Sequence, residues 1–182
     1  MEPDLVEQAQ RGDRQAFASL AYSLSDRLFP VAHRILRDFE SAGDAVQDTL
    51  VRMWRDLPAL RDPARFEAWS YRLLVHACMD QLRASKRHRP DLHLLPGPYA
   101  EDGPELTIVV RDQLDRAFHR LPLEQRAVVV LHYYRDLSLQ EIAEALGVPI
   151  GTVRSRLHYA RRALRAAIEA DSRPAIPRGH MA

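Results

Sequence analysis

Apolar residues recur every three or four positions through nearly the whole chain, the interval that places them on one face of an α-helix. Phe17, Leu20, Ala21, Leu24 and Leu28 make one such stripe. Val46, Leu50, Met53, Trp54 and Leu57 make a second, and Leu114, Ala117, Phe118 and Leu121 a third. Stripes of this kind must be buried against one another, which predicts an all-α fold. Gly12 suits a left-handed helix end, and Asp13 can cap the helix that follows. Pro30 is expected to kink or interrupt that helix before the pattern resumes through Ile35, Leu36 and Phe39. Pro58 to Pro63 reads as a loop. A long helix is predicted from about Phe66 to Arg83, with Phe66 and Trp69 read as core. Val128-Val129-Val130-Leu131 has strand-like propensity. Its helical neighbours and the lack of a partner strand favour helix.

The composition changes once along the chain. From Pro90 to Val110 there are four prolines, two glycines and neither Lys nor Arg, while Asp91, Glu101, Asp102 and Glu105 make the stretch acidic. It reads as a flexible linker. Residues 1–89 and 111–170 then form two helical domains, and residues 171–182, with Pro174, Pro177 and Gly179, a frayed tail.

The second block carries a sharper signal. Ser138-Leu-Gln-Glu141 is a capping box, in which the hydroxyl and the carboxylate each satisfy a first-turn N–H. Gly147 closes that short helix and Val148-Pro149 turns the chain. The next helix carries the apolar stripe Val153, Leu157, Ala160, Leu164 and Ile168, with Arg154, His158, Arg161 and Arg165 on a different face. Between Ile150 and Ala167 there are five arginines and no acid. This is the form of a helix-turn-helix, whose second helix packs on the first and offers donors to bases and phosphates.

Several motifs together resemble a known family. Leu121-Pro122-Leu-Glu-Gln-Arg126, Asp136-Leu-Ser-Leu-Gln-Glu-Ile-Ala143 and Gly151-Thr-Val-Arg-Ser-Arg-Leu157 are similar to domain 4 of extracytoplasmic-function (ECF) sigma factors. Gly12-Asp13, Asp44-Ala-Val-Gln-Asp48, Phe66-Glu-Ala-Trp69 and Asp80-Gln-Leu-Arg83 resemble their domain 2. The resemblance implies an alternative sigma factor that binds core RNA polymerase, through the largest subunit's clamp helices and the flap, and promoter DNA. It further implies an anti-sigma factor as partner.

Residue by residue, the resemblance puts Asp44, Gln47, Asp48 and Arg52 at the polymerase; Asp48 and Arg52 can equally form an i,i+4 pair. It puts Arg65, Arg72, His76, Arg83, Lys86 and Arg87 along the melted −10 strand, where basic residues track phosphates. The family often has Asn where His76 stands. Thr152, Arg154, Ser155, Arg156, His158, Tyr159 and Arg161 fall at or near the −35 element. The acidic linker reads either as a mimic of nucleic acid or as a tether.

Net charge is only +1, so two modest basic surfaces should bind DNA weakly until polymerase holds both. No apolar run approaches a spanning length, and the acidic N-terminus lacks a secretory core. A cytoplasmic protein without membrane insertion is expected. Cys78 is the only cysteine and reads as a small buried hydrophobe. The eight histidines show no zinc spacing, and no Walker loop, G-x-S-x-G or G-x-G-x-x-G is present. No catalytic residue, metal or cofactor is therefore expected. The alternatives are a stand-alone helix-turn-helix regulator and, more remotely, an enzyme.

Overall fold

The computed structural model describes residues 3–88 and 108–171. Every regular element there is helical. The first half holds α1 (Pro3–Gln10), α2 (Arg14–Leu36), α3 (Phe39–Asp56) and α4 (Phe66–His88), with two 3-10 turns at Leu57–Ala59 and Pro63–Arg65. The second holds α5 (Ile108–Arg120), α6 (Leu123–Tyr133), α7 (Leu139–Leu146) and α8 (Ile150–Asp171). Helix α5 thus begins three residues inside the segment read as linker. The remainder of that segment, and the tail beyond Asp171, lie outside the described residues.

The caps fall where short polar residues can reach free N–H groups. The Asp13 carboxylate accepts from the Gln15 and Ala16 amides, and the Asp38 carboxylate from the Ser41 amide. Pro30 does not interrupt α2, which runs unbroken from Arg14 to Leu36. Leu20, Leu24 and Leu28 before it, and Val31 and Ile35 after it, are all buried. Apolar burial on both sides outweighs the one backbone bond that proline removes. The real break is at Arg37, which takes a left-handed conformation with φ 62°. Phe39 opens α3 and lies exposed, edge-on to Phe29 at 5.0 Å.

The Val128–Leu131 run is helical, within α6. Pro122 sits just ahead of α6, and its carbonyl accepts from the Gln125 and Arg126 amides. Phe66 is buried and Trp69 half-buried. Trp54, assigned to the α3 stripe, is 45% exposed, its ring edge-on to Phe17 at 4.7 Å. Its Cα direction is set by α3, whose buried face is Ala42, Ala45, Val46, Thr49 and Met53. Trp54 follows Met53 and is turned about 100° away from it.

The two halves share one hydrophobic core. Leu74, Val75 and Cys78 of α4 belong to the same buried cluster as Ala127, Val128 and Leu131 of α6 and Ile142 and Ala145 of α7. Helix α4 packs on α7, and α2 packs on α6.

Candidate nucleic-acid interface

The helix-turn-helix is built from local chemistry. Ser138 and Glu141 form the reciprocal capping box: the Glu141 amide donates to Ser138 Oγ at 3.2 Å and the Ser138 amide to Glu141 Oε2 at 2.7 Å. Those bonds hold the Glu141 carboxyl below its ordinary range. Gly147 ends α7 at φ +64°, a conformation that costs any residue with a Cβ. Val153, Leu157 and Ala160 of α8 are buried beneath.

On the outer side Arg154, His158, Arg161, Arg162 and Arg165 line a groove of about 490 Å³ with Leu139 and Leu157. Four guanidinium groups beside an apolar floor suit phosphates and base edges. Tyr159 is 57% exposed, its ring 5.6 Å from His158. Ser155 Oγ donates to the Thr152 carbonyl at 2.9 Å, and Thr152 is half-buried. Arg162 was not among the expected residues; its spacing of four from His158 was the available signal. Arg156 points elsewhere. It lines a second cavity with Arg72 and His76, because a step of two residues from Arg154 turns about 200° around the helix.

That second cavity, of about 180 Å³, lies between the halves, walled by Val75, Met79, Ala127, Leu146 and Val148 and with Glu124 at its edge. The Arg72 guanidinium lies over Gly147, where a Cβ would come within 3.3 Å of its central carbon. Burial, and next Arg72, lower the His76 pKa from its ordinary value. Arg65 approaches Asp62 at 3.5 Å and Glu144 at 3.9 Å. Arg83 reaches Asp80 at 3.2 Å. Lys86 and Arg87 belong to the last turn of α4; their side chains lie outside the described residues.

A separate surface runs along α3. Asp44 and Gln47 are exposed. Val51, at 60% exposure, and Trp54 continue the same helix face at spacings of four and three. Arg52 instead turns to two carboxylates, Asp48 at 2.6 Å and Asp80 of α4 at 2.7 Å. The hydrogen bond to Asp80 raises the Arg52 pKa, and the same bond lowers that of Asp80. The i,i+4 pair thus forms, and Arg52 also ties α3 to α4.

Burial pushes the Cys78 thiol up to about 12, far from a reactive thiolate. Among the described residues no three His, Cys, Asp or Glu side chains converge as metal ligands, and no helix is long and apolar enough to cross a membrane.

Comparison with known proteins agrees with this architecture. Residues 20–88 match sigma-70 region 2, and residues 111–164 match sigma-70 region 4. The ECF RNA polymerase sigma factor SigW of Bacillus subtilis is 30% identical over 176 residues, covering 88% of this chain and 92% of SigW. The solved structure of CnrH in complex with the cytosolic domain of CnrY matches with a TM-score of 0.68 at 26% identity, over 93% of this chain and 97% of that one. The sigma factor RpoE of Bartonella quintana, solved with the anti-sigma factor NepR, shares the fold with a TM-score of 0.66 at 23% identity, over 85% of this chain and 98% of that one. The chain belongs to the ECF RNA polymerase sigma factors. It is an alternative sigma factor, which directs transcription initiation.

Proposed function

We propose a division of labour between the halves. Residues 1–89 dock on core RNA polymerase and read the −10 element; residues 111–170 read the −35 element; residues 90–110 connect them, with 171–182 as a tail. The observation that carries the reading is the groove of α8, where Arg154, His158, Arg161, Arg162 and Arg165 converge behind a capped supporting helix. Tyr159 extends the same surface toward bases. Thr152 and Ser155 at the start of α8 serve phosphate or base contacts, and Arg156 joins them once the halves separate.

On α3 the face Asp44, Gln47, Asp48, Val51 and Trp54 docks on the clamp helices of the largest subunit, with the flap taking the second half. An apolar centre flanked by carboxylates is the composition of a specific interface. Arg52 acts there by fixing Asp48. Arg65, Arg72, His76, Arg83, Lys86 and Arg87 follow the melted −10 strand. The chain itself makes and breaks no bond; the chemistry stays with polymerase, in the cytoplasm. CnrH is bound by the cytosolic domain of CnrY and RpoE by NepR, and an anti-sigma factor of that kind is the expected regulator.

Run-off transcription with purified core polymerase on a pool of genomic promoters tests this reading. Discrete new start sites that depend on the chain support it, and their upstream sequences supply the two elements. Absence of transcripts and of core binding, with specific duplex binding by the free chain, would establish a stand-alone regulator instead.

A further inference from the structure

Helix α1 ends on a side chain whose partners lie 47 and 50 positions away. Gln10, half-buried at the end of α1, donates from Nε2 to the Leu57 carbonyl at 3.2 Å and to the Leu60 carbonyl at 2.7 Å. Both partners are acceptors, so only the NH2 end of the amide can face them, and each of its N–H groups serves one. The backbone that carries Gln10 is itself fixed. Val6 and Ala9 of α1 are buried. In the turn that follows, the Gly12 amide donates to the Ala9 carbonyl at 3.0 Å and the Asp13 amide to the Gln8 carbonyl at 3.2 Å.

What Gln10 holds is the connection between α3 and α4, residues 57–65. The Leu60 amide donates back to the Leu57 carbonyl at 3.1 Å. In the second 3-10 turn the Asp62 carboxylate accepts from the Ala64 amide at 3.0 Å, and the Asp62 carbonyl from the Arg65 amide at 3.0 Å. These bonds are local, spanning two or three residues. They set the shape of each turn and not its place on the molecule. Helix α1 packs on both turns, and Gln10 adds the hydrogen bonds that tie them to it. Arg65 closes the second turn with its side chain 65% exposed, so its aim follows the place of that turn. Its carboxylate neighbours are distant, Asp62 at 3.5 Å and Glu144 at 3.9 Å, which leaves the guanidinium able to turn to a phosphate.

We propose that Gln10 is a positioning residue for −10 recognition. Through the Leu57 and Leu60 carbonyls it fixes the connection that presents Arg65 to the phosphates of the melted strand. Helix α1, which carries none of the DNA-facing side chains, thereby takes part in promoter reading. A turn already held in place need not be ordered by the DNA, and the ordering cost avoided is kept as affinity. This inference rests on the assignment of Arg65 to the −10 strand above.

The test is a double-mutant cycle between Gln10 and Arg65 in the holoenzyme. Gln10→Glu keeps the shape of the side chain and turns a carboxylate toward two carbonyl oxygens. Gln10→Met keeps the length and removes both donors without adding charge. The readout is holoenzyme binding to a single-stranded −10 oligonucleotide, its sequence taken from run-off transcription. Core affinity and melting temperature are measured alongside. Arg65→Ala should weaken oligonucleotide binding about tenfold, the loss of one charge-assisted contact. Each Gln10 variant should weaken it about five- to tenfold. In the Arg65→Ala background the same variants should cost less than about twofold, because the contact they aim is already gone. Gln10→Met should also lower the slope of log K against log salt by about 0.7, the value for one phosphate of a single strand. A purely structural residue would leave that slope unchanged.

Losses that multiply independently in the double variants, or an unchanged salt slope, overturn the positioning role. A loss confined to melting temperature or core affinity, with −10 binding intact, reduces Gln10 to a structural bond. If Gln10→Glu loses helical circular dichroism, Gln10→Met carries the cycle with the same outcomes. The underlying assignment fails separately: Arg65→Ala that leaves −10 binding untouched removes Arg65 from the strand, and with it the route proposed for Gln10.

Discussion

Arg52 of α3 holds Asp80 of α4 at 2.7 Å while pairing with Asp48 one turn back in its own helix. Its head thus links a residue of the α3 face proposed to dock on polymerase to the helix that carries the −10 candidates. The pair is partly exposed, with Asp80 at 47%, so solvent screening limits its contribution. A double-mutant cycle between Arg52→Ala and Asp80→Ala should give a coupling of about 0.5 kcal/mol. Arg52→Ala should also weaken core polymerase binding, because Asp48 loses its fixed rotamer. A cycle that closes to zero, with core affinity unchanged, would reduce Arg52 to an ordinary surface residue.

Gly147 has two reasons to be glycine: its φ of +64° and the Arg72 guanidinium over its Cα. Gly147→Ala should destabilise the folded chain by about 1 kcal/mol or more. Arg72 must also shift by a few tenths of an ångström. Thermal unfolding measures the first effect. Equal melting temperatures for the two proteins would contradict it.

The α8 groove separates arginines that the sequence places close together. Arg161→Ala should weaken promoter binding by the holoenzyme and lower the slope of log K against log salt by about 0.9 if it neutralises one phosphate. Arg154→Ala, nearer the helix start, should relax base preference at the −35 element by about 1–3 kcal/mol. Competition binding with substituted −35 duplexes distinguishes the two. An identical loss on every duplex for Arg154→Ala would make it a phosphate contact.

Acid should destabilise the fold through its histidines. Burial lowers the pKa of His33, His76 and His119, and Arg37 lowers both His33 and His119 further. For a base whose folded pKa is depressed, stability is complete above its ordinary value of 6.5 and is lost as pH falls below it toward the folded value. His119 accepts from Arg37 through Nε2, which requires the neutral ring. The melting temperature should therefore fall between about pH 7 and about pH 5. His119→Gln, which can still accept that bond, should flatten part of the decline. Parallel curves for the two proteins would remove His119 from the account.

The elements that depend on neighbours in sequence were legible there. The Asp13 cap, the Ser138–Glu141 box, the Gly147 stop and the buried stripe Val153, Leu157 and Ala160 all rest on spacings of one to four residues. The arginine face of α8 was legible for the same reason, although Arg162 escaped notice. Pro30 does not interrupt α2 because buried Leu24 and Leu28 before it and Val31 and Ile35 after it hold the helix on both sides. Trp54 misled because large aromatic rings usually belong to cores, whereas here Met53 fills the inward position.

The sequence by itself determined the helices, their ends and the chemical character of each face, since those follow from backbone hydrogen bonding and side chains three or four positions apart. Tertiary structure alone decided which faces meet. Arg37 finds Asp115 and His119 across 78 and 82 positions. Arg72 finds Gly147, and Arg156 leaves the other arginines of α8 for the cavity beside His76. No periodicity encodes contacts at such separations. They arise when two amphipathic halves bury their remaining apolar surface against each other, and the charged residues at the margin pair with whatever that packing brings near.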